Sequence, residues 1–319
     1  MRFRTLASLG LCSLLLQSAH AATSPKELLA AGRVDETIQT LEQKVTGATP
    51  DAEAYNLLCR AYFMIDEWDR GIAACERARN LDPQNSLYHL WLGRNYGEKA
   101  DRAGFLSAAG LAKKVRVEFE RAVELDPKNV EARVDLAEFY FSAPGIVGGG
   151  KDKARAQAEA VASFNPAVAH YISGRIAESE KNSAAAEREF RAAIEASHGT
   201  AHARLHLAQF LAHANRLDEM QQALRSMESS PVDRPEALMD GASLLLRTGR
   251  DYPMAVRLLR RYVSNGPVEE GPAFKAHDLL GQLLEKQGDP RAAADEYRAA
   301  LALSHTYARA REHLKQVDH

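Results

Sequence analysis

The sequence predicts an all-α chain, a solenoid of about seven stacked helix-turn-helix repeats with a cap at each end. Three observations carry that prediction. The stretch from Ala52 to Pro83 holds two helical stripes in tandem. Tyr55, Leu58, Cys59 and Tyr62 recur at steps of three, one and three, and Gly71, Cys75 and Ala78 follow at helical spacing with side chains small enough for a second helix to lie close to the first. The same grammar returns several times downstream. Composition agrees, since Ala and Leu are abundant, β-branched runs are scarce, and the chain is 45% hydrophobic and 26% charged. A chain of 319 residues exceeds what one core usually serves, but each repeat of a solenoid contacts only its neighbours.

In chain order, Arg2 and Arg4 form a positive start, Leu6 to Leu16 an apolar run too short to span a bilayer, and Ala19-His20-Ala21 a small-x-small cleavage pattern. Residues 1–21 are therefore expected to be a secretory signal peptide cleaved after Ala21, and the mature chain to be exported, with the periplasm as its address. Cys12 follows Leu9-Gly10-Leu11, where a bulky Leu takes the place of the small residue of a lipoprotein signal, so it is expected to leave with the leader. No later stretch reaches about 18 apolar residues, so no transmembrane segment is expected in the mature chain. Residues 22–50 read as an N-terminal cap or degenerate half repeat, a truncated helical pair ending at Gly47 and Pro50. Residues 51–303 hold the repeats. The second restates the stripe with Leu92, Gly93 and Tyr96 and closes at Asp126-Pro127; the third opens with Leu136, Ala137 and Tyr140. Both carry excess residues, expected as enlarged turns at about 97–114 and 142–153. The fourth repeat keeps Gly174, Ala186, Phe190 and Ala193, the fifth and sixth are looser, and the seventh recovers Leu280, Gly281, Leu284, Ala293 and Tyr297. Residues 304–319 read as a solvating C-terminal cap helix.

This unit resembles the tetratricopeptide repeat, a helix-turn-helix of about 34 residues, and the resemblance covers about residues 24–317. It implies a right-handed superhelix whose first helices line a concave groove, a protein or peptide partner, and a non-catalytic scaffold. The position after the small residue of the stripe is then groove-lining. It holds Arg60, Arg94, Glu138 and Arg175 in the first four repeats, then Gln209, Ser243 and Gln282. The N-terminal half of the groove is thus expected to be mainly basic and to suit an acidic segment, although Glu131, Glu138 and Glu178 are available to pair with these arginines. The Lys and Asn clamp that the family uses for chaperone C-termini is not reproduced.

Catalytic motifs are missing from the sequence: there is no GxSxG, no HExxH and no CxxC. Gly145 to Lys151 matches GxxxxGK, but Asp152 stands where a phosphate-binding loop needs Ser or Thr, and a helix precedes it in place of a strand. The plainer reading of Gly148, Gly149, Gly150 and Lys151 is a flexible turn after Pro144. Beside it, the other enlarged turn carries the apolar Phe105 and Leu106, and stacking brings equivalent turns together. These six residues are candidates either for partner binding or for a local plug in which Phe105 and Leu106 pack on the adjacent helix. A net charge of −2 does not point to nucleic acid.

His198, His202 and His206 are spaced by four, a zinc-compatible interval, but Gly199 places His198 in a turn, and solvated or half-buried histidines are the plainer reading; neither a metal nor a cofactor is expected. Cys59 and Cys75 sit on the two helices of one repeat, where an oxidising compartment permits a bridge; two small buried thiols are the alternative. Trp68 and Trp91 are expected in the packing. Two function classes stay open: an interaction scaffold of the cell envelope, or a small-ligand or enzyme-associated module with a pocket under the insertions. A closed pocket beneath residues 99–112 and 142–152 would favour the second, and an open trough the first.

Overall fold

A computed structural model describes residues 23–318 except 48 and 267, so the expected leader, with Cys12, lies outside the described residues. Seventeen α-helices among the described residues stack in order as packed pairs. α1 (Pro25–Ala30) and α2 (Val34–Val45) precede the repeats. Seven pairs follow: α3 (Ala52–Met64) with α4 (Trp68–Leu81), α5 (Ser86–Asp101) with α6 (Phe105–Leu125), α7 (Val130–Ser142) with α8 (Lys151–Ala162), and α9 (Pro166–Ser179) with α10 (Ser183–Ala196). They continue as α11 (Ala201–His213) with α12 (Leu217–Glu228), α13 (Glu236–Thr248) with α14 (Tyr252–Ser264), and α15 (Ala273–Lys286) with α16 (Pro290–Leu303), before a single α17 (Ala308–Val317).

Local chemistry fixes where these helices start and how closely they pack. At the junctions after α4 and α6 the Asp82 and Asp126 carboxylates accept from the backbone N–H of Gln84 and Lys128, at 3.2 and 3.1 Å. Asn85 and Asn129 then cap the next helices, accepting from Leu87 and Ala132. Inside a pair, the glycine of the first helix faces an aromatic ring of the second. A Cβ at Gly93, Gly174 or Gly281 would run into Phe119, Phe190 or Tyr297, each of which is buried. The missing side chain is what lets the ring lie on the opposing backbone.

The excess residues of the second repeat are not a turn. α5 and α6 run to 16 and 21 residues, against 13 for α3, and only Arg102 to Gly104 connect them. Ala100, Ala108, Ala109 and Ala112 supply helix propensity and no proline interrupts them, so the insertion is drawn into both helices despite Gly97 and Gly110. The third repeat does carry an enlarged turn, with one turn of 3-10 helix at Gly145–Val147. It is built tightly and is not the flexible turn expected. Gly148 adopts φ +103°, a Cβ on Gly149 would fall inside the contact distance of the Ala143 carbonyl oxygen, and the Gly150 N–H donates to the Tyr140 carbonyl at 2.7 Å. Gly149→Ala is expected to push the turn off α7 and to destabilise the third repeat by about 2 kcal/mol, read as a lower urea midpoint at unchanged slope.

The two caps are not left free in solvent, because the superhelix brings them together. The backbone N–H of His305 and the Thr306 hydroxyl both donate to Asp35. Asp66, at the end of the first helix of the first repeat, faces Lys275 at 3.6 Å and Arg309 at 3.4 Å. Gly32, at φ +73°, lies so close to Ala273 that a Cβ would sit 2.9 Å from its nitrogen. Arg60 and Glu269 form a two-contact ion pair across the same seam, with side chains only 14% and 9% exposed.

Candidate functional site

The first helices of successive pairs turn their faces inward and line a concave channel. The predicted arginines lie along this side, but as neutralised groups and not as a basic stripe. Arg60 is taken by Glu269, and its guanidinium stacks over Trp91 at 5.4 Å. Arg94 stacks on Trp91 at 4.9 Å while binding Asp135 at 2.6 Å and Glu131 at 2.9 Å. Burial disfavours the Arg94 charge, yet the two carboxylates more than offset it and hold it firmly protonated. Arg175 binds Glu138 at 3.1 Å and Glu178 at 3.4 Å, and the Tyr171 hydroxyl at 3.0 Å. The expected basic half-groove is therefore corrected. Glu131, Glu138 and Glu178 were visible as partners in the sequence, whereas Asp135 and the distant Glu269 were not.

Two hollows flank the Arg94–Asp135 pair. On one side, α5, the lengthened α6, α7 and the 143–147 turn enclose a trough of about 800 Å³. Phe63, Ala108, Ala112, Phe119, Phe139 and Val147 make its apolar lining. Its mouth is open, and Phe105, Leu106 and Ile146 stand beside it 87%, 85% and 89% exposed. The packed plug is thereby excluded for Phe105 and Leu106. Gly148, Gly149 and Gly150 do not line the trough but shape the turn that does. Lys151 points the other way, its ammonium 3.4 Å from the Ser179 carbonyl, and the segment before it is helical, as the failed phosphate-loop match implied.

On the other side lies a polar hollow of about 930 Å³ between α7, α9, α11 and α13. Tyr171, whose hydroxyl donates to Glu138 at 2.7 Å, stacks on His206 with ring centroids 3.8 Å apart, and His202 follows at 4.1 Å. Burial lowers the pKa of both histidines, that of His206 strongly, so they are neutral near pH 7. His198 occupies the turn at φ +56° and His213 pairs with Glu178 at 2.9 Å, which separates the four histidines. Asp240 is reached by solvent, yet the surrounding walls desolvate it and, with Glu236 nearby, raise its pKa to about 6. A raised acid opposes folding above its unfolded pKa, near 4. Asp240→Asn is thus expected to stabilise the chain at pH 7 by less than about 1 kcal/mol after solvent screening, with the gain fading between about pH 6 and 4. Thermal melts at pH 4 and 7 check it.

The Cys59 and Cys75 sulfurs are bonded, with Cα atoms 5.1 Å apart, and the Asn95 amide lies over them, 3.2 Å from the Cys59 sulfur. Trp91 is buried and Trp68 packs edge-on against Phe63. No cluster of three metal-ligating side chains occurs among the described residues.

Paired helices, small-against-aromatic contacts and a lined concave face define a helical-repeat protein of the kind that generally serves as a protein-interaction scaffold without catalysis. More particularly, residues 28–93 and 239–308 match models of the tetratricopeptide repeat. Among solved structures, yeast Tom70 is similar at 15% identity and a TM-score of 0.53, over 89% of this chain and 58% of that one. A thermophilic TPR protein of Thermus thermophilus is similar at 16% identity and a TM-score of 0.49, over 59% and 97%. A tetratricopeptide repeat protein of Parabacteroides merdae is similar at 17% and 0.39, over 84% and 99%. No curated protein matches the chain. At these identities the likeness concerns the fold alone.

Proposed function

We propose that the chain is a non-catalytic scaffold of the cell envelope, exported by residues 1–21, which holds a segment of a partner protein in its concave channel and in the trough beneath the two insertions. The observation that carries this reading is the apolar trough with three large side chains exposed at its mouth. Single exposed apolar residues are ordinary, but Phe105, Leu106 and Ile146 gather beside one concavity, which is the pattern of a surface that a partner covers. The open mouth favours a peptide segment over an enclosed small ligand. The alternative, a small apolar ligand, has the trough's volume in its favour, and a native mass spectrum of the purified chain carrying a stoichiometric bound mass would favour it.

A photocrosslinker placed at Leu106 or Ile146 and activated in intact cells is expected to give discrete adducts, with none from Glu124, an exposed position on α6 well along the helix from the trough mouth. Equal labelling from all three positions would overturn the docking reading. N-terminal sequencing of the chain from the envelope fraction is expected to begin at Ala22, and a cytoplasmic chain beginning at Met1 would overturn export.

A further inference from the structure

Resting on the scaffold reading, we propose that the channel's occupant is a cationic segment: a stretch of a partner protein with Lys or Arg along the channel and an apolar side chain seated in the trough. The argument is one of charge complementarity. Nine carboxylates and two arginines line the two hollows, in a chain whose overall net charge is only −2, and two of the nine, Glu98 and Glu138, are paired with Arg102 and Arg175. Both arginines are already neutralised, Arg94 by Asp135 and Glu131, and Arg234 by Glu236 at 2.6 Å. Asp101, Asp233, Asp240 and Glu270 are all exposed, and none has a cationic partner among the described residues. The neutral histidines of the stack add no opposing charge near pH 7.

Two further features make this a channel for a chain and not merely an acidic cluster. The polar hollow and the apolar trough share Arg94 and Asp135 in their walls, so one extended segment can reach both. Phe105, Leu106 and Ile146 stand exposed at the trough's mouth, so the same segment meets an apolar surface at one end of its path and carboxylates at the other. An acidic segment would meet the opposite: unpaired carboxylates in a concave wall that focuses their field. Such recognition speeds association and weakens with salt, since the screening length is about 8 Å at physiological ionic strength.

The test is selection of random twelve-residue peptides displayed on phage against the chain from residue 22 onward. Enriched peptides are expected to carry excess Lys and Arg with an apolar residue, and to bind more weakly as salt is raised. A triple variant, Asp233→Asn with Asp240→Asn and Glu270→Gln, is expected to lose about tenfold in affinity for the best of them. A matched surface variant, Asp218→Asn with Asp295→Asn and Glu124→Gln, removes three exposed carboxylates elsewhere and is expected to bind as wild type. Circular dichroism of both variants checks that they are folded. Enrichment of neutral or acidic peptides, or equal losses in the two variants, would overturn the cationic occupant while leaving the scaffold reading standing. Failure of wild type to enrich any peptide would count against the scaffold reading itself.

Discussion

Replacing Arg60 with alanine is expected to open the seam between the first and last repeats and to destabilise it by about 3 kcal/mol, because removing one partner of a buried pair strands the other charge. The two side chains are almost wholly enclosed, and burial already raises the Glu269 pKa against the pull of Arg60. Without Arg60 that acid rises further. Its ionisation then opposes closure at every pH above its value in the opened chain, so the defect shrinks as pH is lowered and Glu269 takes up a proton. Small-angle scattering is expected to show a larger radius of gyration for Arg60→Ala at pH 8, with faster amide exchange in α1, α2 and α17. An unchanged radius and exchange pattern would show that Asp35 and Asp66 close the seam without it. Arg60 was read from sequence as a groove residue open to a guest; two hundred residues of intervening chain hid its partner.

The second large effect is expected on removing the Cys59–Cys75 bridge. It closes a separation of 16 residues, worth roughly 3 kcal/mol in the chain-entropy account. Because Cys59 and Cys75 are both fully buried against α5, the loss concentrates in the first two repeats. A Cys59→Ala, Cys75→Ala chain is expected to melt several degrees below wild type, and a reductant to bring wild type down to nearly the same temperature. Labelling the unfolded, unreduced chain from residue 22 onward is expected to find no free thiol. Two free thiols would reject the bridge.

Helix order and pairing were legible in the sequence because they follow from local rules. Gly93, Gly174 and Gly281 recur on the first helix of a pair with an aromatic partner on the second, and Asp-Pro-x-Asn marks two of the repeat junctions. Even the degenerate sixth repeat folds as α13 and α14, since Leu238, Ala242, Leu245 and Leu259 keep the apolar period. The site was only partly legible. Phe105 and the 143–147 turn were marked by their excess length, yet Ile146 was passed over inside a glycine-rich run. The channel's sign was misread because one stripe position per repeat was counted. The deciding carboxylates, Asp135, Asp233, Asp240 and Glu270, lie at other helix positions or in the turns before α13 and α15. The helix extension of 97–114 was missed for a different reason: repeat length alone does not tell an inserted loop from two longer helices.

Hydrogen–deuterium exchange on the chain from residue 22 onward, with and without the best peptide from the display selection, tests the central claim most directly. Protection is predicted in two blocks, residues 97–112 with 143–149 around the trough and residues 200–206 with 233–240 in the channel. The second helices α12 and α14 should stay unchanged. Protection confined to those outer helices, or spread evenly over the chain, would contradict docking in the concave channel.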